Sequence, residues 1–131
     1  MGYLFIDTRL TGASSVWWID EQETIPWLVD ARAQEVLSCI YGHIGQIRSG
    51  LKGIAIVSGP GRFSSIRVGI LYANLLARWY HVPLFEATPD DAASEEGRRT
   101  LVHQILSGIR TPQTYVAPIY DREPNITTPH V

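Results

Sequence analysis

The chain opens with short apolar blocks separated by polar turns. Tyr3-Leu4-Phe5-Ile6 is a run of β-formers that stops at Asp7-Thr8-Arg9, and Thr11-Gly12-Ala13 supplies a turn. Ser15-Val16-Trp17-Trp18-Ile19 predicts a second strand, Asp20-Glu21-Gln22-Glu23 a polar turn, and Thr24-Ile25-Pro26-Trp27-Leu28-Val29 a third strand. Pro26 cannot donate to a ladder, so the third strand belongs at an edge or a bulge. The order predicts three strands in antiparallel succession.

The period then changes. From Ala31 to Ser49, Val36, Leu37, Ile40, Tyr41, Ile44 and Ile47 fall at helical spacing with Arg32, Glu35, Gln46 and Arg48 opposite, which predicts one amphipathic helix closed by Gly50. The unbroken run Ile54-Ala55-Ile56-Val57 predicts a strand buried on both faces, and so a central parallel one. Ser58-Gly59-Pro60-Gly61 is a tight loop. Phe63 to Tyr80 is a second helix, capped by Ser64 or Ser65 and stopped at His81-Val82-Pro83. Leu84 to Ala87 is a short fifth strand. Pro89-Asp90-Asp91 opens a weaker helical region, interrupted at Gly97 and resumed through Leu101, Val102, Ile105 and Leu106. Beyond Gly108 four prolines leave an extended tail with the strand-like fragments Tyr115-Val116-Ala117 and Ile119-Tyr120. The sum is one α/β domain, a mixed sheet of five strands with covering helices.

Composition narrows the function. Of 131 residues, 45% are hydrophobic and 18% charged, a globular balance. Thirteen acidic and eleven basic residues leave a net charge of −2, so there is no broad positive field for a nucleic-acid backbone, and any such contact is local or shared. A single cysteine, Cys39, excludes an intrachain disulfide, and Met1-Gly2-Tyr3 enters the first strand without a basic leader, which predicts a cytoplasmic location. The longest near-apolar stretch, Val68 to Tyr80, is interrupted by Asn74 and Arg78 and is shorter than the ~20 residues a membrane span needs.

Candidate chemistry is sparse. Gly59-Pro60-Gly61, with Arg62, leads into a helix N-terminus that can present backbone N–H groups to an anion, but it lacks the Lys-Ser/Thr of a P-loop, and a tight strand-to-helix turn is the plainer reading. Asp7 ends the first strand, where a carboxylate can face a metal-bound phosphate or simply serve the turn. His43, His81, His103 and His130 form no i, i+4 pair, so no metal site is expected, and no G-x-S-x-G is present. In the second helix Ile66, Val68, Ile70, Leu71, Tyr72, Leu75, Leu76, Trp79 and Tyr80 surround most of the cylinder. Gly69, Ala73 and Ala77 form a small-residue seam that either admits a partner helix or packs on the chain's own sheet. Arg67, Asn74 and Arg78 form its polar stripe.

Tyr3-Leu4-Phe5-Ile6-Asp7-Thr8, SGPGRFSSIRVGILYANLLA from Ser58, and Val82-Pro83-Leu84 together resemble the TsaB family, bacterial proteins of the machinery that makes threonylcarbamoyladenosine in tRNA. The family pattern Gly-Pro-Gly-x-Phe-Thr-Gly-Leu-Arg-x-Gly is matched at Gly59, Pro60, Gly61, Phe63, Arg67 and Gly69. Ser64, Ser65 and Ile66 depart from it, and Ser65 stands where the family has glycine. Ala117 to Thr127 is similar to that family's extreme C-terminus. The family has two actin-like ATPase lobes, whereas here the first lobe ends near residue 90 and the terminal motif begins near residue 116. The roughly 25 residues between are too few for a second lobe. The expected organisation is therefore a single actin-like (RNase H-like) lobe over 1–110, a proline-rich tail over 111–131, and no second lobe.

The resemblance implies a non-catalytic subunit that binds the catalytic TsaD protein through its two helices. Ile40, Tyr41, Ile44, Ile66, Arg67, Gly69, Ile70, Ala73, Asn74 and Ala77 would form the interface. It further implies a TsaE-type ATPase as a second partner, tRNA met only through the complex, and no cofactor of the chain's own, ATP and metal residing on the partners. Two alternatives stand beside it: a homodimer through the same helices, and a nucleotide-binding or glycoprotease-like hydrolytic enzyme using Asp7, Gly59, Pro60, Gly61 and Arg62.

Overall fold

A computed structural model describes residues 1–120. Residues 121–131, which hold most of the family-like terminal motif and the end of the expected tail, lie outside the described residues. The elements are β1 (Gly2–Asp7), β2 (Ser14–Ile19), β3 (Thr24–Ala31), α1 (Glu35–Gly42), α2 (Ile44–Gly50), β4 (Leu51–Val57), α3 (Phe63–Tyr80), β5 (Leu84–Ala87), α4 (Pro89–Ala92) and α5 (Glu95–Leu106). The strands form one sheet in the order β3-β2-β1-β4-β5. β1, β2 and β3 pair antiparallel, while β1, β4 and β5 pair parallel.

Strand alternation sorts the core into two layers. Leu4, Ile6, Val16, Trp18, Ile54, Ile56 and Leu84 face one side, packed with Val36, Ile40 and Ile47 from α1 and α2 and with Ile66, Ile70, Ala73 and Ala77 from α3. Tyr3, Phe5, Ile19, Ala55, Val57 and Ala87 face the other, under Ala92, Leu101 and Val102 of α4 and α5. Arg98 of α5 lies over the Trp17 ring at 4.2 Å and donates to the Ala92 carbonyl.

The five expected strands are present, with β3 at the edge, whereas the strand-like fragments Tyr115-Val116-Ala117 and Ile119-Tyr120 form no strand. The β2–β3 register shifts between the Val16↔Leu28 and Trp17↔Pro26 pairs. This bulge at the proline leaves Trp27 as the extra residue and brings both Trp27 and Leu28 against the helix-side core. Trp27 stacks on Trp18 at 5.1 Å and on His43 at 3.8 Å.

Three local expectations are corrected. The single helix expected over 31–49 is two, because at His43 the backbone leaves helical geometry (φ −111°, ψ 23°). The His43 ring is held there by Trp27 and by a 2.9 Å contact from Nδ1 to the Cys39 carbonyl. The interruption in the following helical region falls not at Gly97 but before it. The Ser94 hydroxyl accepts the Gly97 N–H and caps α5, and Thr88 and Asp91 close a capping box on α4. At α3, Arg62 takes the N-cap position with no side-chain cap, and Ser64 and Ser65 lie inside the helix. His81 ends α3 in the left-handed conformation (φ 55°, ψ 45°).

Candidate functional site

The C-terminal ends of β1 and β4 and the start of α3 meet at one edge of the lobe. Asp7 is turned back on its own turn: Arg9 donates to it from the backbone N–H (3.1 Å), Nε (3.0 Å) and Nη2 (2.9 Å). The carboxylate is buried and paired. Across from it the Arg62 N–H donates to the Arg9 carbonyl at 2.8 Å, and Gly61 lies so close that a Cβ there would meet the Arg9 backbone at 2.7 Å. Ser58, almost fully buried, donates its hydroxyl to the Glu86 carboxylate.

The loop is covered by residues that come from far along the chain. Gly61 N–H donates to the Ile119 carbonyl at 3.1 Å, and Ile119 N–H donates to the Ser58 carbonyl at 2.7 Å. Gly59, at φ 130°, lets the Ile119 carbonyl approach where a Cβ would stand. Further back, the Asn74 side chain holds Val116, and Gln113 N–H donates to the Leu84 carbonyl at 2.7 Å. Residues 113–120 thus form a strap from the free edge of β5 to the Gly59-Pro60-Gly61 turn.

This geometry places the residues proposed for anion or nucleotide contact. Asp7, Gly59, Pro60, Gly61 and Arg62 do converge, but the Gly61 and Arg62 N–H groups are spent on the chain's own carbonyls and Asp7 on Arg9. Among the described residues no group of three His, Cys, Asp or Glu side chains is placed to hold a metal ion, and no helix is long and apolar enough to cross a membrane. Burial pushes the Cys39 thiol pKa up, away from the nucleophilic thiolate.

The interface residues divide. Ile40, Ile66, Ile70, Ala73 and Ala77 are in the chain's own core, and Gly69 is buried against Thr8, whose side chain occupies the place of a Cβ. The small-residue seam therefore faces the sheet, a correction to its reading as an approach for a partner helix. Asn74 is half-buried and clamps the strap, and Ile44 is half-buried. Tyr41 and Arg67 are exposed.

Sequence reasoning named Leu71, Leu75 and Trp79 on α3 but did not place them in the contact. Arg67, Leu71, Leu75 and Trp79 recur every fourth residue along the solvent side of α3, with Leu71 and Leu75 each 55% and Trp79 78% exposed. Leu37 and Tyr41 repeat the pattern on α1. Between α3 and the strap lies a groove of about 590 Å³, lined by Arg67, Leu71, Asn74, Tyr115, Pro118 and Tyr120 among others. The four-residue spacing was visible, but which stripe faced the sheet was not.

The five-stranded mixed sheet with a helical layer on each face is an α/β lobe. Solved structures share this fold, among them the following two. YeaZ from Pseudomonas aeruginosa matches with a TM-score of 0.61 at 23% identity, over 77% of this chain and 50% of that one. An uncharacterized protein with similarity to peptidase YEAZ from Pseudomonas aeruginosa matches with a TM-score of 0.55 at 24% identity, over 66% of this chain and 43% of that one. The likeness is one of fold, and the chain spans half or less of the length of these structures. No protein-family model and no curated protein matches the sequence.

Proposed function

We propose that this lobe is a TsaB-type, non-catalytic subunit that docks on a TsaD-type catalytic protein in threonylcarbamoyladenosine modification of tRNA. YeaZ is a TsaB-type protein, so the Gly-Pro-Gly helix motif and the YeaZ-like fold support the same family. The observation that carries the docking role is the row Leu71, Leu75, Trp79 on the outer face of α3, apolar side chains left in solvent and flanked by Arg67 and Arg78. Contiguous exposed apolar surface on a helix, with an aromatic and arginines, has the composition of an interface. Relative to the residues expected from sequence, the contact moves outward: Tyr41 and Arg67 stay in it, Leu71, Leu75 and Trp79 join it, and Ile66, Gly69, Ile70, Ala73 and Ala77 support it from behind.

A scaffold role also agrees with the engaged Asp7 and the strapped Gly59-Pro60-Gly61 turn, which leave the partner to supply catalysis, ATP and metal. A TsaE-type ATPase would join the same assembly, and tRNA would be met through the complex, in keeping with the net charge of −2. Light scattering of the chain alone and mixed with a TsaD-type protein tests this. A one-to-one complex is expected. A homodimer that persists on mixing, or no association at micromolar concentration, overturns it.

A further inference from the structure

Among the described residues, three buried hydroxyls at the head of α3 have no hydrogen-bond partner: Thr8 Oγ1, Ser14 Oγ and Ser65 Oγ. Their residues are 0%, 0% and 6% exposed. The fold gathers them. β1 pairs Asp7 with Ser15, and Thr8 directly follows the end of β1 while Ser14 opens β2. Alternation sends both to the same face as Ile6 and Val16, which is the α3 side. Gly69, one helical turn beyond Ser65, packs directly on the Thr8 side chain. Ser65 also lines a cleft of about 430 Å³ between Thr11 and Gly12 of the β1–β2 turn, Ala33 and Gln34 before α1, and Ser64 and Val68 of α3.

Buried hydroxyls are rarely left unbonded, and internal water with about three polar partners commonly satisfies them. We infer that Thr8, Ser14 and Ser65 form a hydration site, in which bound water bridges β1 and β2 to the first turns of α3 and is reached through the cleft. The ligand class follows from the lining. Arg32, the basic residue at the rim, is paired with Glu35 and its side chain is 71% exposed, so among the described lining residues no cation faces inward to hold an anion. Neutral hydroxyls, each both donor and acceptor, suit a neutral ligand that also does both. Ser65 contributes its hydroxyl at the position where the TsaB pattern has glycine, so one arm of the site comes with this chain's departure from that pattern.

Thermal unfolding of Ser65→Ala and Thr8→Val separates a bridged site from unused hydroxyls. Alanine is the better helix former and valine is close to threonine in shape, so removing hydroxyls that bond nothing would leave Tm unchanged or raise it. The hydration site predicts that both variants lose Tm, by about 3 °C or more in a domain of this size. A high-resolution crystal structure of the unaltered chain gives an independent reading should a variant fail to fold. Water density within hydrogen-bond distance of at least two of the three hydroxyls is expected. A dry floor, or an unchanged or raised Tm in both variants, overturns the inference.

Discussion

The Asn74 carboxamide grips both backbone polar groups of Val116. Val116 N–H donates to Oδ1 at 3.1 Å, and Nδ2 donates to the Val116 carbonyl at 3.0 Å while also reaching the Ile70 carbonyl at 2.9 Å. One side chain on α3 thereby does for residue 116 what a neighbouring strand does within a sheet. The strap ends against the Gly59-Pro60-Gly61 turn, so Asn74 links the outer helix to the loop most distinctive of the sequence.

Asn74→Ala removes all three of these bonds. The expected loss is about 1–3 kcal/mol, because Val116 is buried and its backbone groups would be left unpaired. Amide exchange at Val116 and Ile119 should accelerate together, more than exchange in β1. Unchanged exchange at both amides would show that the strap is held by Ile119 and Gln113 instead.

Gly69 has no room for a side chain. A Cβ there would meet Thr8 at its hydroxyl, its methyl and its Cβ, and both elements are pinned by their neighbours. Gly69→Ala should destabilise by about 1–3 kcal/mol despite alanine's better helix propensity. Thr8→Ala in the same chain should recover part of the loss, since it removes the two closest atoms. Additive losses in the double variant, measured by chemical unfolding, would place the strain elsewhere.

Much of the fold was legible because strands declare their faces. Leu4 and Ile6 against Tyr3 and Phe5 is a two-sided burial, and Pro26 marks the edge without reference to any other residue. The split at His43 was not legible, since the apolar period runs through 31–49 unbroken and the break depends on Trp27, which a bulge brings over from β3. The seam of Gly69, Ala73 and Ala77 was visible as a seam, but small residues let a helix approach a sheet or another helix equally well. Only the tertiary contact with Thr8 decides between them. Asn74 reads in the sequence as part of a polar stripe and a candidate interface residue, because the backbone it holds lies 42 positions away.

Asp20 gives the β2–β3 turn a pH-dependent contribution to stability. Its carboxylate accepts the backbone N–H groups of Gln22 and Glu23, each at 2.8 Å. Led by the Glu23 and then the Gln22 hydrogen bond, these hold its pKa below the ordinary carboxylate value. A depressed folded-state pKa means that the stabilisation is present in full above the unfolded-state value and fades as pH falls through the folded one. Asp20→Asn should therefore lower Tm near neutrality and weaken its fall on acidification. An unaltered acid limb in a pH series of melting curves would remove Asp20 from that dependence.

The exposed row on α3 separates binding from folding. Leu75 is 55% and Trp79 78% exposed, so their side chains contribute little to the core, whereas Ala73, on the opposite face, is fully buried. Leu75→Ser and Trp79→Ser should change stability by less than about 0.5 kcal/mol, as expected of surface positions. If the row is the docking face, truncating its aromatic should weaken association with a TsaD-type partner by about tenfold or more. Ala73→Trp should instead unfold or swell the lobe before any partner is added, because an indole cannot enter a packed sheet-facing position. Titration calorimetry beside thermal melts distinguishes these outcomes. Binding left intact by both serine variants in a stable chain would move the docking face off α3, towards Leu37 and Tyr41 on α1.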